Sequence, residues 1–330
     1  MSVTTLIANP EIRARLQKMI RKPDFGSGQK LLGAPLSKHY TPPKASQIGT
    51  AFDYLFRFYL KCLNPQAIER EWWTAEQVGW WFEGYVFVSN AQHAGSGRWE
   101  LIPEQWTAEL GISQRGRDWA LQRERVITEA RENYSLYVKT GTLSDRLLTS
   151  AIQLAKLDGI VRSGWPDLPD LENVDKDDKD DLRQLVKLIP AGDFKASDVC
   201  LLNPTFGEAS RLIGGADADV VIDDTLIEIK TVMKCRLIGK YLNQLALYYC
   251  LYRIGGVDGL PAGRSLRRFG VYFSRHGYFF TVPVTECWQP RDFEAFLEWF
   301  RDEIEARACL TGIHGNRDPA EIAGRPQSKK

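Results

Sequence analysis

Cysteine is sparse and scattered. Cys62, Cys200, Cys235, Cys250, Cys287 and Cys309 stand singly, with no C-x-x-C pair. The spacing that zinc or iron–sulfur ligation needs is therefore missing, and in a reducing compartment such residues are expected to be buried thiols. Histidine is rarer, four in 330 residues, and none falls at a metal-ligand or HNH-type spacing. Charge of one sign is also lacking. The formal net charge is +1, so composition does not mark a nucleic-acid binder, and any basic surface must be local. No apolar run approaches the ~20 residues that cross a bilayer. The opening "MSVTTLIANPEIRARL" lacks the basic-then-apolar layout of a signal peptide. These absences lead us to expect a cytoplasmic protein with no membrane partner. No internal period suggests a repeat architecture.

What is present suits a large buried core. Hydrophobic residues make up 44% of the chain and aromatics 11%, enough for one large domain or two smaller ones. A basic segment, 1–45, carries a short helix at "PEIRARLQKMIRK" and then a loop rich in Gly, Pro and Lys. From Ser46, apolar residues at Ile48, Phe52, Leu55, Phe56, Tyr59, Leu60 and Leu63 recur at helical spacing. Asn64-Pro65 ends that helix. Residues 65–190 read as a mostly helical insertion. Trp72, Trp73, Trp80 and Trp81 are expected on one helix face there, placed for core packing or for stacking bases. The insertion closes on "DLPDLENVDKDDKDDL", eight acids and two lysines, expected to be a solvated linker with a helix start near its end. Residues 191–311 change period. "DVCLLNPTF" and "ADADVVIDDTLIEIKTV" predict a strand and a hairpin, "RLIGKYLNQLALYYCLYRI" a helix, and "RRFGVYFSRHGYFFTVPV" a second hairpin turning near His276-Gly277. "RDFEAFLEWFRDEIEARACL" predicts an amphipathic closing helix, followed by a polar tail from 312. The class is α/β.

The stretch "GGADADVVIDDTLIEIKT", Gly214–Thr231, packs four acids into eight residues and then sets Glu228 and Lys230 among apolar neighbours. A two-residue turn at Asp223-Asp224 opposes Ile222 to Thr225, Asp219 to Glu228 and Asp217 to Lys230. Directly opposed residues share a face, so two aspartates, a glutamate and a lysine converge, while Val220, Ile222, Ile227 and Ile229 face a core. A three-residue turn would break this grouping, because one extra residue flips a strand's faces. Hard carboxylate oxygens suit Mg²⁺, which polarises a phosphodiester and helps make a nucleophile from water. A nearby lysine positions or deprotonates that water and offsets phosphate charge. Glu-x-Lys alone is equally what a surface salt bridge on a solvated hairpin looks like.

The context extends the pattern. Asp219 with "Glu228-Ile229-Lys230" resembles the PD-(D/E)XK, restriction-endonuclease-like nuclease superfamily. "QLALY" supplies Gln244 and Tyr248 for the Gln-x-x-x-Tyr motif of its RecB-like branch, with Lys240 one turn earlier on the same face. "GTAFD" gives Gly49 and Asp53, a looser match to that branch's first core helix (46–64). The chain departs in having Ala218 where a Pro usually precedes the Asp, and in lacking clustered cysteines. The 65–190 insertion resembles nothing in the family.

The resemblance implies a mixed sheet flanked by helices and phosphodiester hydrolysis with Mg²⁺ or Mn²⁺, in DNA rather than RNA, in repair, restriction or phage defence. It implies that Asp219, Glu228, the Ile229 carbonyl and Asp53 hold metal, that Lys230 orients the attacking water, and that Gln244 and Tyr248 line the site and touch substrate. Asp217 is a partner of the ligands or an alternative ligand, and Glu208 is a candidate additional ligand. Basic stretches at 11–38 and 253–275 offer phosphate contacts, with Lys240, Arg267 and Arg268 as substrate-binding candidates. A non-cleaving nucleic-acid-binding component of a larger complex is the rival reading, and the helical insertion is the place for a protein partner.

Overall fold

A computed structural model describes residues 3–25, 44–81, 85–89, 97–101, 114–163 and 169–311. Two compact units emerge. One takes Met1–Glu71 with Asp180–His314, the other Trp72–Lys179. The expected boundaries of 65 and 190 thus shift inward, and the reason is visible at each end. The two-residue strand β1, Ile68–Glu69, joins the sheet of the first unit. At the far end Asp181 is buried in a bidentate pair with Arg275, Oδ1 to Nη1 at 2.9 Å and Oδ2 to Nη2 at 2.8 Å. The acidic run is therefore not wholly a solvated linker. Its end forms helix α6, Lys176–Lys187, and contributes a buried charge.

The first unit is a six-stranded mixed sheet flanked by helices. Its strands are β1, β4 (Cys200–Leu202), β5 (Val220–Ile222), β6 (Thr225–Lys230), β7 (Arg268–Phe273) and β8 (Tyr278–Pro283), side by side in that order. β4, β5 and β6 run antiparallel in sequence. β6 and β7 are parallel, and helix α8 (Gly239–Gly255) connects them, as parallel neighbours require. β7 and β8 form the closing hairpin, which turns through Gly277 at φ 55°.

Strand alternation gives the sheet two different faces. Val221, Leu226, Phe269, Val271, Phe273, Phe280 and Val282 belong to one continuous core with α8, helices α1 (Val3–Ala8) and α2 (Pro10–Met19), α7 (Gly207–Leu212) and α9 (Pro290–Thr311). On the other face Tyr272 stacks on Phe56 of α3 (Lys44–Leu63) and meets Phe52 and Phe194. The α3 stripe legible in the sequence is what buries these rings. Asn64 fixes the end of α3: its side chain donates to the Phe194 carbonyl at 3.0 Å and accepts from Ala196 N at 2.9 Å.

The second unit adds strands to the mostly helical segment expected. It pairs α4 (Gln114–Thr140) with α5 (Asp145–Ser163), and it also holds a hairpin of β2 (Tyr85–Ser89) and β3 (Gly97–Leu101). The tryptophan stretch forms a 3-10 helix, Thr74–Trp81. Trp72 is exposed, whereas Trp73 is buried against Tyr134 beneath the Arg131 guanidinium, which also pairs with Glu76. Trp73 is core; the side chains of Trp80 and Trp81, and the tail from 312, lie outside the described residues. No helix among the described residues is long and apolar enough to cross a membrane.

Candidate active site

The hairpin turns on Asp223 and Asp224, with Ile222 opposite Thr225, Val221 opposite Leu226 and Val220 opposite Ile227. That register sends Glu228 and Lys230 to the α8 side of the sheet. Lys230 Nζ pairs with Glu228 Oε1 and donates to Gln244 Oε1 at 3.2 Å. Gln244 Nε2 in turn donates to Tyr248 Oη at 3.1 Å. Tyr241, two turns before Tyr248 on α8, places its ring 5.0 Å from Lys230 Nζ, within reach of a cation–π contact. Glu228, Lys230, Gln244 and Tyr248 are therefore one connected row, built from i, i+2 on a strand and i, i+4 on the helix above it.

Asp219 enters from the preceding strand end. Its Oδ2 accepts from Ile229 N at 2.7 Å. Burial raises its pKa above the ordinary aspartate value, against the opposing pull of Lys230 and of the Ile229 N–H. Glu228 is 2% exposed. Burial first, and the Asp219 charge second, push its carboxyl up to about 8. Burial alone would lower the Lys230 ammonium, but Glu228 and then Asp219 outweigh it and hold Lys230 above the usual lysine value. Tyr248 is likewise raised, by burial and by Glu228. Glu228 Oε2 is buried with no hydrogen-bond partner, and an unpaired buried carboxylate oxygen is costly.

The two aspartates, expected together on one face, part company. Asp217 does not stand opposite Lys230. The chain leaves β6 before it, and Asp217 bridges Thr205 on the other side. Its carboxylate takes the Asn203 amide and faces Arg70 Nη1 at 3.7 Å. Asp53 is close enough to Lys230 to raise its pKa, and an added Cβ at Gly49 would meet Thr231 Cβ at 3.8 Å, so α3 runs past the end of β6. Yet among the described residues no three His, Cys, Asp or Glu side chains are grouped to hold a metal. Asp53 thus does not complete a three-carboxylate set with Asp219 and Glu228.

Other candidates lie elsewhere. Glu208, in the first turn of α7, is exposed and paired with Arg211. Arg268 stands beside Thr225 and donates to Thr281 Oγ1 at 2.6 Å, while Arg267 N donates to the Asp224 carbonyl at 2.8 Å. Both sit at the turn end of the sheet, five residues of strand or about 16 Å from Lys230. Lys240 is exposed in the first turn of α8, below Gln244.

Three residues at the site had no motif to announce them. Asn203, at the end of β4, has a left-handed φ of 56°. Its N–H donates to the Asp219 carbonyl at 3.0 Å, and its side chain joins Arg57 of α3 to Asp217. Asparagine tolerates that backbone region better than most residues, so "LNP" after a strand was the one available signal. Arg57 and Arg70, both lowering the local negative potential, carried none. Below Tyr248, Phe206 stacks at 5.5 Å with rings 19° apart. That contact depends on α7 lying tight on α8: a Cβ on Gly255 would meet the Phe206 carbonyl at 2.2 Å.

Comparison with protein-family models, with curated proteins and with solved structures found no match.

Proposed function

We propose that this protein is a metal-dependent phosphodiester hydrolase. More narrowly, it is a nuclease acting on DNA, with a restriction-endonuclease-like core of the RecB-like kind. The observation that carries the reading is the connected row Glu228, Lys230, Gln244 and Tyr248, with Asp219 beside it. The order of α3, β4 to β6, α8 and β7 supports the same reading.

The donor set fits a hard divalent cation. Asp219, half-buried, and Glu228, buried, are adjacent carboxylates whose pKa values rise because burial outweighs the pull of Lys230, and Glu228 Oε2 has no hydrogen-bond partner. Asp219 and Glu228 would hold Mg²⁺ or Mn²⁺, with the Ile229 carbonyl as a further oxygen. When bound, the ion supplies Lewis-acid polarisation of a phosphate oxygen and a more acidic water. The protein's own contribution begins at Lys230. Lys230, held above the usual lysine value, keeps its Nζ proton at neutral pH and so acts as a donor, orienting the attacking water and countering charge on the phosphate. Gln244 fixes the direction of Nζ through Oε1, and Tyr248 fixes the rotamer of Gln244. Burial of Tyr248 and Phe206 keeps the row in a low-dielectric setting, which strengthens each of these interactions.

The test uses purified protein on linear, circular and single-stranded DNA and on RNA, with Mg²⁺, Mn²⁺ or EDTA. Cleavage that requires the metal supports the reading. Binding without cleavage under every condition would leave the rival, a non-cleaving component of a larger complex.

A further inference from the structure

The segment between the catalytic lysine and the Gln-x-x-x-Tyr helix is chemically unusual. The 27 residues from Thr231 to Val257 contain no Asp or Glu. Four cations lie in the same span: Lys234, Arg236, Lys240 and Arg253. Arg253 is paired with Glu294 of α9. Lys234, Arg236 and Lys240 are exposed and make no ion pair among the described residues.

The segment is not a loosely solvated loop. Its start is tied down: Ser274 Oγ donates to Thr231 Oγ1 at 2.9 Å, and His276 Nε2 meets the Val232 carbonyl at 3.2 Å. Leu237 is fully buried, and Val232 and Cys235 pack on the same core. Between these anchors the outward residues are Lys234, Arg236 and Ile238. The apolar residues point in and the cations are thereby presented outward, at fixed places. The stretch that carries Lys234, Arg236 and Lys240 is bounded on both sides by the site, since Lys230 and Gln244 are hydrogen-bonded to each other.

We infer that Lys234, Arg236 and Lys240 form a phosphate-binding strip that holds the backbone of a nucleic-acid strand where it enters the site, with exposed Ile238 between them against a sugar or base. The inference rests on the nuclease reading for what lies at the end of the strip, but the strip itself is argued from charge. A row of unpaired cations on an acid-free, anchored segment is complementary to a polyanion, and its continuity with Lys230 leads the strand to the carboxylates. The cations would act through counterion release, so their signature is in salt dependence rather than in catalysis alone.

The experiment compares wild type with Lys234→Gln/Arg236→Gln/Lys240→Gln. A control, Lys139→Gln/Arg146→Gln/Lys176→Gln, removes three exposed cations of the second unit. Binding of a fluorescent 20-nucleotide single strand and of its duplex is followed by anisotropy from about 50 to 200 mM salt, without metal, and cleavage is assayed separately with Mn²⁺. The strip variant is expected to lower the slope of log K against log salt by about 2 to 3 and the affinity on the order of tenfold or more. The control should keep the wild-type slope. An unchanged slope in the strip variant overturns the inference even if wild type cleaves. An equal loss in the control overturns it too, because the charges would then act without regard to position. A slope that falls as expected in a protein that never cleaves sustains the strip and sinks the nuclease reading. Wild type that neither binds nor cleaves ends both. All six substituted residues are exposed, and a thermal melt checks that each variant is folded.

Discussion

Asp219 and Asp223 stand four residues apart on one hairpin, and their surroundings drive their carboxyls in opposite directions. Asp223 sits at the turn in a left-handed conformation, φ 51°. Its burial cost, the largest single influence, is outweighed by the combined N–H groups of Ser197, Val199 and Asp198, at 3.0, 3.0 and 2.8 Å, which hold its pKa below the usual value. Asp219 is half-buried and has one backbone donor, and burial, with the Asp217 charge behind it, raises its pKa against the pull of Lys230. One carboxylate is satisfied by the fold. The other pair is left electrostatically short, with Glu228 Oε2 unpartnered. Buried acids whose charge the fold does not compensate are where a protein keeps a place for something else.

The sharpest break of this comparison is a pair of charge-removing, near-isosteric changes. Glu228→Gln should lower cleavage by at least 10³-fold, as loss of a metal ligand at a catalytic site, while raising metal-free stability, because burial disfavours the carboxylate more than Lys230 favours it. Asp223→Asn should leave cleavage within a factor of two and cost about 1–3 kcal/mol, the worth of hydrogen bonds to a charged acceptor. Urea unfolding and a gel assay read the two effects; destabilisation by Glu228→Gln with activity retained would show the reverse division.

The pH dependence should separate the same groups. Glu228 has a folded pKa of about 8 against an ordinary 4.5. The folded state therefore binds more protons between those values, and metal-free stability should fall as pH rises from about 5 to 8. Asp223 has the opposite sign: its contribution is present above the ordinary aspartate value and lost as acid protonates it. A cation at Glu228 competes with the proton, so the rise in Tm given by Mn²⁺ should be larger at pH 8.5 than at pH 6. Differential scanning fluorimetry on wild type and Glu228→Gln measures this, and a metal shift that is equal at both pH values or survives in the variant would place the ion elsewhere.

Smaller effects follow from the residues that only steer. Gln244→Ala should reduce activity on the order of tenfold to a hundredfold by freeing Lys230 Nζ, with Tm within about 2 °C of wild type. A large loss of Tm would make Gln244 a packing residue instead. Asn203→Ala should cost about 1–2 kcal/mol for its left-handed backbone, and Asn203→Gly less; equal losses in urea unfolding would assign the cost to the amide's bonds with Arg57 and Asp217.

How much of this was legible in the sequence follows from the range of the interactions. The turn at Asp223-Asp224, the shared face of Glu228 and Lys230, and the Gln244-to-Tyr248 spacing are local periodicities, and each appears in the structure. Asp217 was misplaced because the parity rule assumes that the ladder continues, whereas Ala218 N turns to the Pro204 carbonyl at 3.0 Å. Arg57, Arg70 and Asn203 come from three separate segments, and no spacing links them. Arg267 and Arg268 were grouped by charge, which says nothing of which end of a strand they occupy. The β2–β3 hairpin follows directly on a tryptophan-rich stretch whose apolar spacing imitates a helix, which masks the change of period.

The central claim is that Lys230 acts on a water and a phosphate rather than bracing the hairpin, and one assay addresses it most directly. Wild type and Lys230→Ala are incubated with linear and single-stranded DNA in Mg²⁺, Mn²⁺ or EDTA, and binding to the same DNA is measured in parallel. The account predicts cleavage by wild type only with metal, a fall on the order of 10²–10⁴ in Lys230→Ala, and largely retained affinity in the variant. Wild type and Lys230→Ala equally inactive on every substrate with either metal, yet equally able to bind DNA, would contradict it.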